Sequence, residues 1–128
     1  ENEVIGYETG LSALNRIGLV SQMPQKRCIA TNLHMKRIPK GMQIEIRKPP
    51  IRVNADNFRY LQILDAIREL DMAPVDTAKP VDVVRATVQK FALETDQMIL
   101  MARKYYGQKT LVRTIDIMLE GSYESARG

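Results

Sequence analysis

Hydrophobic and polar positions alternate in two regimes along the chain, the first short and mixed, the second helical. Behind Thr9, a residue type suited to an N-cap, Leu11, Leu14 and Ile17 recur at helical spacing, and the run stops at Gly18, where a left-handed residue is needed. Leu19 then supplies the hydrophobic residue that folds back on Leu14, and Pro24 blocks an immediate new helix. "KRCIAT" (Lys26 to Thr31) predicts a strand with Cys28 and Ala30 on one side, Ile29 and Thr31 on the other. "GMQIEIRK" (Gly41 to Lys48) alternates with Met42, Ile44 and Ile46 one way and Gln43, Glu45 and Arg47 the other, a half-buried strand with a wet face. The connection "NLHMKRIPK" is longer than a tight hairpin, and Pro49 with Pro50 removes two donors and ends the ladder.

From Asp56, a candidate N-cap, the period becomes helical: Tyr60, Ile63, Leu64 and Ile67 inward, Arg59, Gln62, Asp65 and Glu69 outward. "DMAPVDTAKP" (Asp71 to Pro80) is a loop by composition and the best candidate hinge, with Pro80 suited to a first helical position. Val81, Val84, Val88 and Phe91 mark the next helix. Another opens at Glu94 or Thr95, turns Met98, Met101, Ala102 and Tyr105 inward and stops at Gly107. The last carries Leu111, Ile115, Met118 and Leu119 and ends at Gly121. The pattern predicts an α+β fold: a short N-terminal helix and a small antiparallel sheet of two to four strands, packed on three or four C-terminal helices. A sheet part of about 1–55 and a helical part of about 56–121 fall within one domain spanning 1–128. Two strands are too few for an independent sheet, so Val4–Tyr7 and Arg52–Val53 are candidate additions, unless a missing part of the protein completes it.

Composition narrows the class. The chain has 128 residues, 45% hydrophobic and 27% charged, the balance of an ordinary globular domain. No apolar run approaches the roughly 20 residues of a membrane span. The one cysteine, Cys28, forms no internal disulfide and points to a reducing cytoplasm. The first residue is Glu1 rather than Met, which leads us to expect a trimmed part of a longer protein.

Charge changes the picture more. Lys26, Arg27, Lys36, Arg37, Lys40, Arg47, Lys48 and Arg52 stand against Glu45 alone, a local +7 that leaves −3 for the rest of a chain whose total is +4. Such a patch is the electrostatic footprint of a phosphate backbone or an acidic partner. Lys26, Arg27, Lys36, Arg37, Lys40, Arg47 and Lys48 are therefore the candidate nucleic-acid-binding residues. Helix-turn-helix and aromatic-strand readers are missing, so the contacts expected are to phosphates, steep in salt and blind to sequence.

Catalytic patterns are weaker. Glu45-Ile46-Arg47 approximates the Glu-x-Lys of metal-dependent nucleases, but Arg replaces Lys and the preceding strand offers Cys and Thr where an Asp belongs. His34 is the only histidine, and a Cys28–His34 pair would need a nucleophile placed mid-strand. No P-loop, GxGxxG, HExxH or CxxC is present. The expectation is a binding protein, not an enzyme, without cofactor or metal; a nuclease-like domain using Glu45 and a plain nucleic-acid-binding accessory domain are the alternatives.

"TGLSALNRIGLVSQMPQKRCIATN", followed by "GMQIEIRKPP" and "FRYLQILDAIREL", resembles the AbiEi-like antitoxins of type IV (abortive infection) toxin–antitoxin systems, in their C-terminal domain. The matching positions are Gly10, Ala13, Asn15, Gly18, Leu19, Ser21, Gln22, Pro24 and Thr31, and the tail "MARKYYGQKTLVRTIDIMLE" fits the closing helices loosely. The resemblance implies a transcriptional regulator that counteracts a nucleotidyltransferase toxin and represses its own operon. DNA, read at the operator mainly by an N-terminal winged helix-turn-helix expected upstream of Glu1, and the cognate toxin are the partners implied.

Overall fold

The first helix ends where glycine dictates. A computed structural model of the chain describes residues 3–21, 24–34, 41, 43–70 and 79–127, without the side chains of 120–127. The elements in order are β1 (Gly6–Glu8), α1 (Gly10–Arg16), β2 (Arg27–Thr31), β3 (Ile44–Arg47), α2 (Phe58–Glu69), α3 (Pro80–Lys90), α4 (Thr95–Tyr105) and α5 (Gln108–Arg127). At the end of α1, Gly18 takes φ +92, its N–H bonds the Asn15 carbonyl at 3.1 Å and the Leu19 N–H bonds the Leu14 carbonyl at 2.8 Å. These paired bonds satisfy orphan helix carbonyls and drive Leu19 into the core. Thr9 precedes the helix in extended conformation but makes no side-chain cap, because its hydroxyl is used elsewhere. Leu11, expected inward, is exposed; the buried side of α1 is Gly10, Ser12, Ala13 and Leu14.

The α+β plan holds, with a three-stranded sheet in the order β1-β2-β3. It is mixed rather than wholly antiparallel: β1 and β2 are antiparallel, β2 and β3 parallel. The 12 residues between the ends of β2 and β3 (32–43) are too many for a tight turn and enough for a parallel return. Pairing Cys28 with Glu45 and Ala30 with Arg47 puts both charged residues on the helix-facing side of the sheet. Ile44 and Ile46 join Ile29 on the opposite side and are half-buried while Gln43 and Glu45 are exposed, as the alternation predicts; Arg47 departs from it, half-buried against Gly10 and Glu69. Met42 lies outside the described residues.

Of the two candidate extra strands, the first is realised as β1 and the second is not. At Val53 a side chain does a strand's work: the Asn32 carboxamide accepts from the Val53 N–H at 2.7 Å and donates to the Val53 carbonyl at 2.8 Å.

α2 is the central element. Every residue from Tyr60 to Ile67 is buried, including Gln62 and Asp65, which the periodicity places outward. α1, β1, α4 and α5 pack around this stretch and cover Gln62 and Asp65 of its polar stripe as well. Full burial of Leu61, Ile63 and Leu64 contributes roughly 1.5–3 kcal/mol each. Asn57, not Asp56, holds the N-cap position, and the Asn54 side chain accepts the N–H groups of Asp56 and Asn57.

Pro80 opens α3, and Val84 and Val88 face the core. The expected hinge falls on residues 71–80, of which 71–78 lie outside the described residues. α4 buries Met98, Met101 and Ala102, but Tyr105 is exposed and its neighbour Tyr106 turns in. The turn after α4 is made by Tyr106 in extended conformation. α5 runs through Gly121 to Arg127, since a mid-helix glycine costs only about 1 kcal/mol and stops nothing by itself. Its inward stripe is Thr110, Thr114 and Ile117, with Leu111, Ile115 and Met118 half-buried and Leu119 exposed. One continuous core joins residues from Tyr7 to Ile117.

Candidate functional site

Of the seven candidate cations for contact with nucleic acid, the structure describes four. Lys36, Arg37 and Lys40 lie outside the described residues. Lys26 and Lys48 are exposed, but β2 and β3 are parallel, so Lys26 precedes one strand and Lys48 follows the other at opposite ends of the sheet. Arg27 is held by Glu8: its Nε and Nη2 donate to one carboxylate oxygen at 3.0 and 2.8 Å. Arg16 donates to the second oxygen of Glu8 at 3.2 Å. Arg47, on the helix-facing side, donates to Glu45 at 2.8 Å and to Glu69 at 3.4 Å. Its guanidinium lies against Gly10, whose φ is +57; a Cβ there would come within 3.1 Å of Nη1. The four described residues therefore do not share one face, and two of the four are charge-compensated.

Of the residues weighed for catalysis, Cys28 and Glu45 meet across the β2–β3 pair and His34 lies apart. A hydrogen bond from Arg47, and then its charge, hold the Glu45 carboxyl below its ordinary range. Cys28 is buried with its thiol 4.0 Å from Glu45; burial first, and that carboxylate second, push the thiol up and disfavour the nucleophilic thiolate. His34 is exposed beyond the end of β2. Among the described residues, no three His, Cys, Asp or Glu side chains group as metal ligands would.

Two constellations escape a reading of the sequence alone. The first centres on Asp65, whose carboxylate accepts from the hydroxyls of Tyr7 at 2.8 Å, Thr9 at 2.5 Å and Tyr106, with Arg68 at 3.6 Å. β1, its junction with α1, α2 and the turn after α4 all converge on this buried group. Burial, reinforced by the Asp65 charge, raises both tyrosines far above their ordinary value. The sequence carries no signal for it, since Asp65 falls with Arg59, Gln62 and Glu69 on the polar stripe of α2.

The second is a cleft of about 380 Å³ where the C-terminal turns of α1 and α3 meet the first turn of α2. Arg16, Arg59 and Lys90 line it with Gln62, Thr87 and Phe91. The Arg59 guanidinium lies 3.9 Å from the centre of the Phe91 ring and 4.5 Å from that of Phe58.

No protein-family model, curated protein or solved structure matches the chain.

Proposed function

We propose that this chain is a non-catalytic regulatory domain of the antitoxin type it resembles, acting in the cytoplasm. In this reading it opposes a nucleotidyltransferase toxin and adds sequence-blind affinity for operator DNA through cationic surface between Lys26 and Arg52. The observation that carries the reading is uncompensated positive charge at two places, Lys26 ahead of β2 and Lys48 with Arg52 beyond β3, all exposed and without an ion-pair partner among the described residues. The engagement of Glu45 by Arg47 favours binding over metal-assisted cleavage, since the carboxylate is already committed to a cation. Among the described residues, no helix is long and apolar enough to cross a membrane.

The test is duplex-DNA affinity as a function of salt. Reversing Lys26, Lys48 and Arg52 to Glu should weaken binding and reduce the slope of log K against log salt by about 1 for each phosphate no longer neutralised. Reversal of Lys36, Arg37 and Lys40 measures the connection between β2 and β3 in the same way. An unchanged slope in both variants rejects the DNA role. Co-expression with a nucleotidyltransferase toxin, the partner this reading requires, measures the other half, and failure to restore growth rejects the antitoxin role.

A further inference from the structure

We propose that the cleft between α1, α2 and α3 is a binding site for a phosphate group, independent of the cationic surface at residues 26–52. Three cations converge on it and no carboxylate is among its lining residues. Two of them have a reason to be there without a ligand: Arg16 and Lys90 occupy the last turns of α1 and α3, where positive charge suits the helix dipole. Arg16 is also steadied by Glu8. Arg59 is held by the Phe58 and Phe91 rings but by no favourable helix-end field. It sits in the first turn of α2, which holds no acidic residue, so its charge opposes the dipole of its own helix. It has no carboxylate partner among the described residues. An anion in the cleft would relieve that repulsion and the mutual repulsion of all three cations.

The cleft also fixes how Arg59 is presented. The Phe91 and Phe58 rings hold its guanidinium at 3.9 and 4.5 Å, and its fork of N–H groups suits bidentate contact with oxygens. Phe91 is aimed by the turn that ends α3: Ala92 takes φ +53, its N–H bonds the Gln89 carbonyl, and the Leu93 N–H bonds the Val88 carbonyl. A residue with a Cβ is thus held in the left-handed region next to the stacking ring. Gln62 spends one amide N–H on the Glu8 carbonyl and has a second to give. Three cations suit a group with several oxygens and more than one charge better than a carboxylate. The volume, equal to about a dozen waters, admits a phosphate with a sugar attached.

The phosphate can belong to a free or monoester ligand or to a nucleic-acid backbone, and one experiment separates them. The intact, 15N-labelled chain is titrated with inorganic phosphate and, separately, with a short duplex DNA, following the Arg59 side-chain Nε–H resonance and, in every variant, the backbone amide resonances of Ile17, Gln62 and Thr87. Inorganic phosphate should shift it saturably, with a Kd on the order of 1 mM. Arg59→Ala and Lys90→Ala should each weaken binding about tenfold, and Arg59→Lys, which keeps charge but loses the fork, severalfold. Lys90 is exposed at a helix end, so its variant stays informative if Arg59→Ala misfolds. A shift of the same resonance by DNA assigns the site to a phosphodiester; a shift by inorganic phosphate alone assigns it to a free phosphate group. The proposal is overturned if neither probe moves the resonance of the folded protein, or if Arg59→Ala and Lys90→Ala leave affinity unchanged. DNA binding that survives Arg59→Ala but fails on reversal at residues 26–52 leaves the regulatory reading intact and removes DNA from this cleft.

Discussion

The phenol of Tyr106 donates to the carboxylate of Asp65 across 41 positions of sequence, and this bond fastens the turn after α4 to the middle of α2. Tyr7 and Thr9 donate to the same carboxylate from the other side, so one buried charge ties the N-terminal layer to the helical body. Hydrogen bonds to a charged group are worth about 1.5–3 kcal/mol, and Tyr106→Phe should lower stability by about 2 kcal/mol. Asp65→Asn removes the charge that three hydroxyls and Arg68 face, and should cost about 3–5 kcal/mol. Urea unfolding of the two variants checks both values. A loss under about 1 kcal/mol for Asp65→Asn would show that the carboxylate organises nothing.

The same two tyrosines predict an alkaline limit. Burial and Asp65 raise both in the folded state above the ordinary value near 10. Below about pH 10 both states keep the two phenolic protons and the tyrosines' full contribution is present. Above it the unfolded chain releases protons that the folded chain retains, so stability falls as pH rises, by about 1.4 kcal/mol per pH unit for each tyrosine. Urea midpoints from pH 8 to 11 should therefore decline gently where the Cys28 thiol, also raised by burial, ionises in the unfolded chain, and then drop steeply above about pH 10. Tyr106→Phe should roughly halve the drop. Phenolate absorbance from Tyr7 and Tyr106 should appear only with unfolding; ionisation in the folded protein would contradict the burial argument.

Legibility in the sequence follows the range of the forces involved. Local signals read correctly: the Gly18–Leu19 stop, Pro80 at the start of α3, and the inward Val84, Val88, Met98 and Met101 all depend on residues within a turn or two. The direction of β3 is not legible, because a period of two carries no strand direction and pairing with β2 decides which face is inner. Tyr105 and Tyr106 fit the α4 pattern equally well until Asp65 selects the second. Charge partners are the least visible. Arg27 reads as a free cation in a basic run, yet the carboxylate that neutralises it is 19 positions away on β1. The cleft assembles from three helix ends, so no window of sequence contains it.

Ala92 offers a stabilising substitution. It occupies the position after the α3 C-cap with φ +53, a conformation that an L-residue adopts at a cost and glycine adopts freely. Ala92→Gly keeps the paired bonds from residues 92 and 93 and removes the Cβ penalty, partly offset by the greater freedom of the unfolded chain. The net expectation is a gain of about 0.5–1 kcal/mol, read as a higher thermal midpoint. A lower midpoint would mean that the turn is held by something other than its backbone bonds.

Glu45 separates binding from catalysis. Its side chain is 46% exposed and its pair with Arg47 is screened by water, so Glu45→Gln should change stability by less than about 1 kcal/mol. The substitution keeps an acceptor for Arg47 but removes a negative charge from the most basic stretch of the chain. If that stretch meets DNA, affinity at low salt should rise about two- to fivefold, and the gain should shrink as salt screens the added field. If the carboxylate instead holds a divalent ion beside a scissile phosphate, the natural protein will cut DNA in magnesium and Glu45→Gln will not. Magnesium-dependent cleavage abolished by this one oxygen-to-nitrogen exchange would replace the regulatory reading with a nuclease; tighter, salt-sensitive binding without cleavage is the outcome expected.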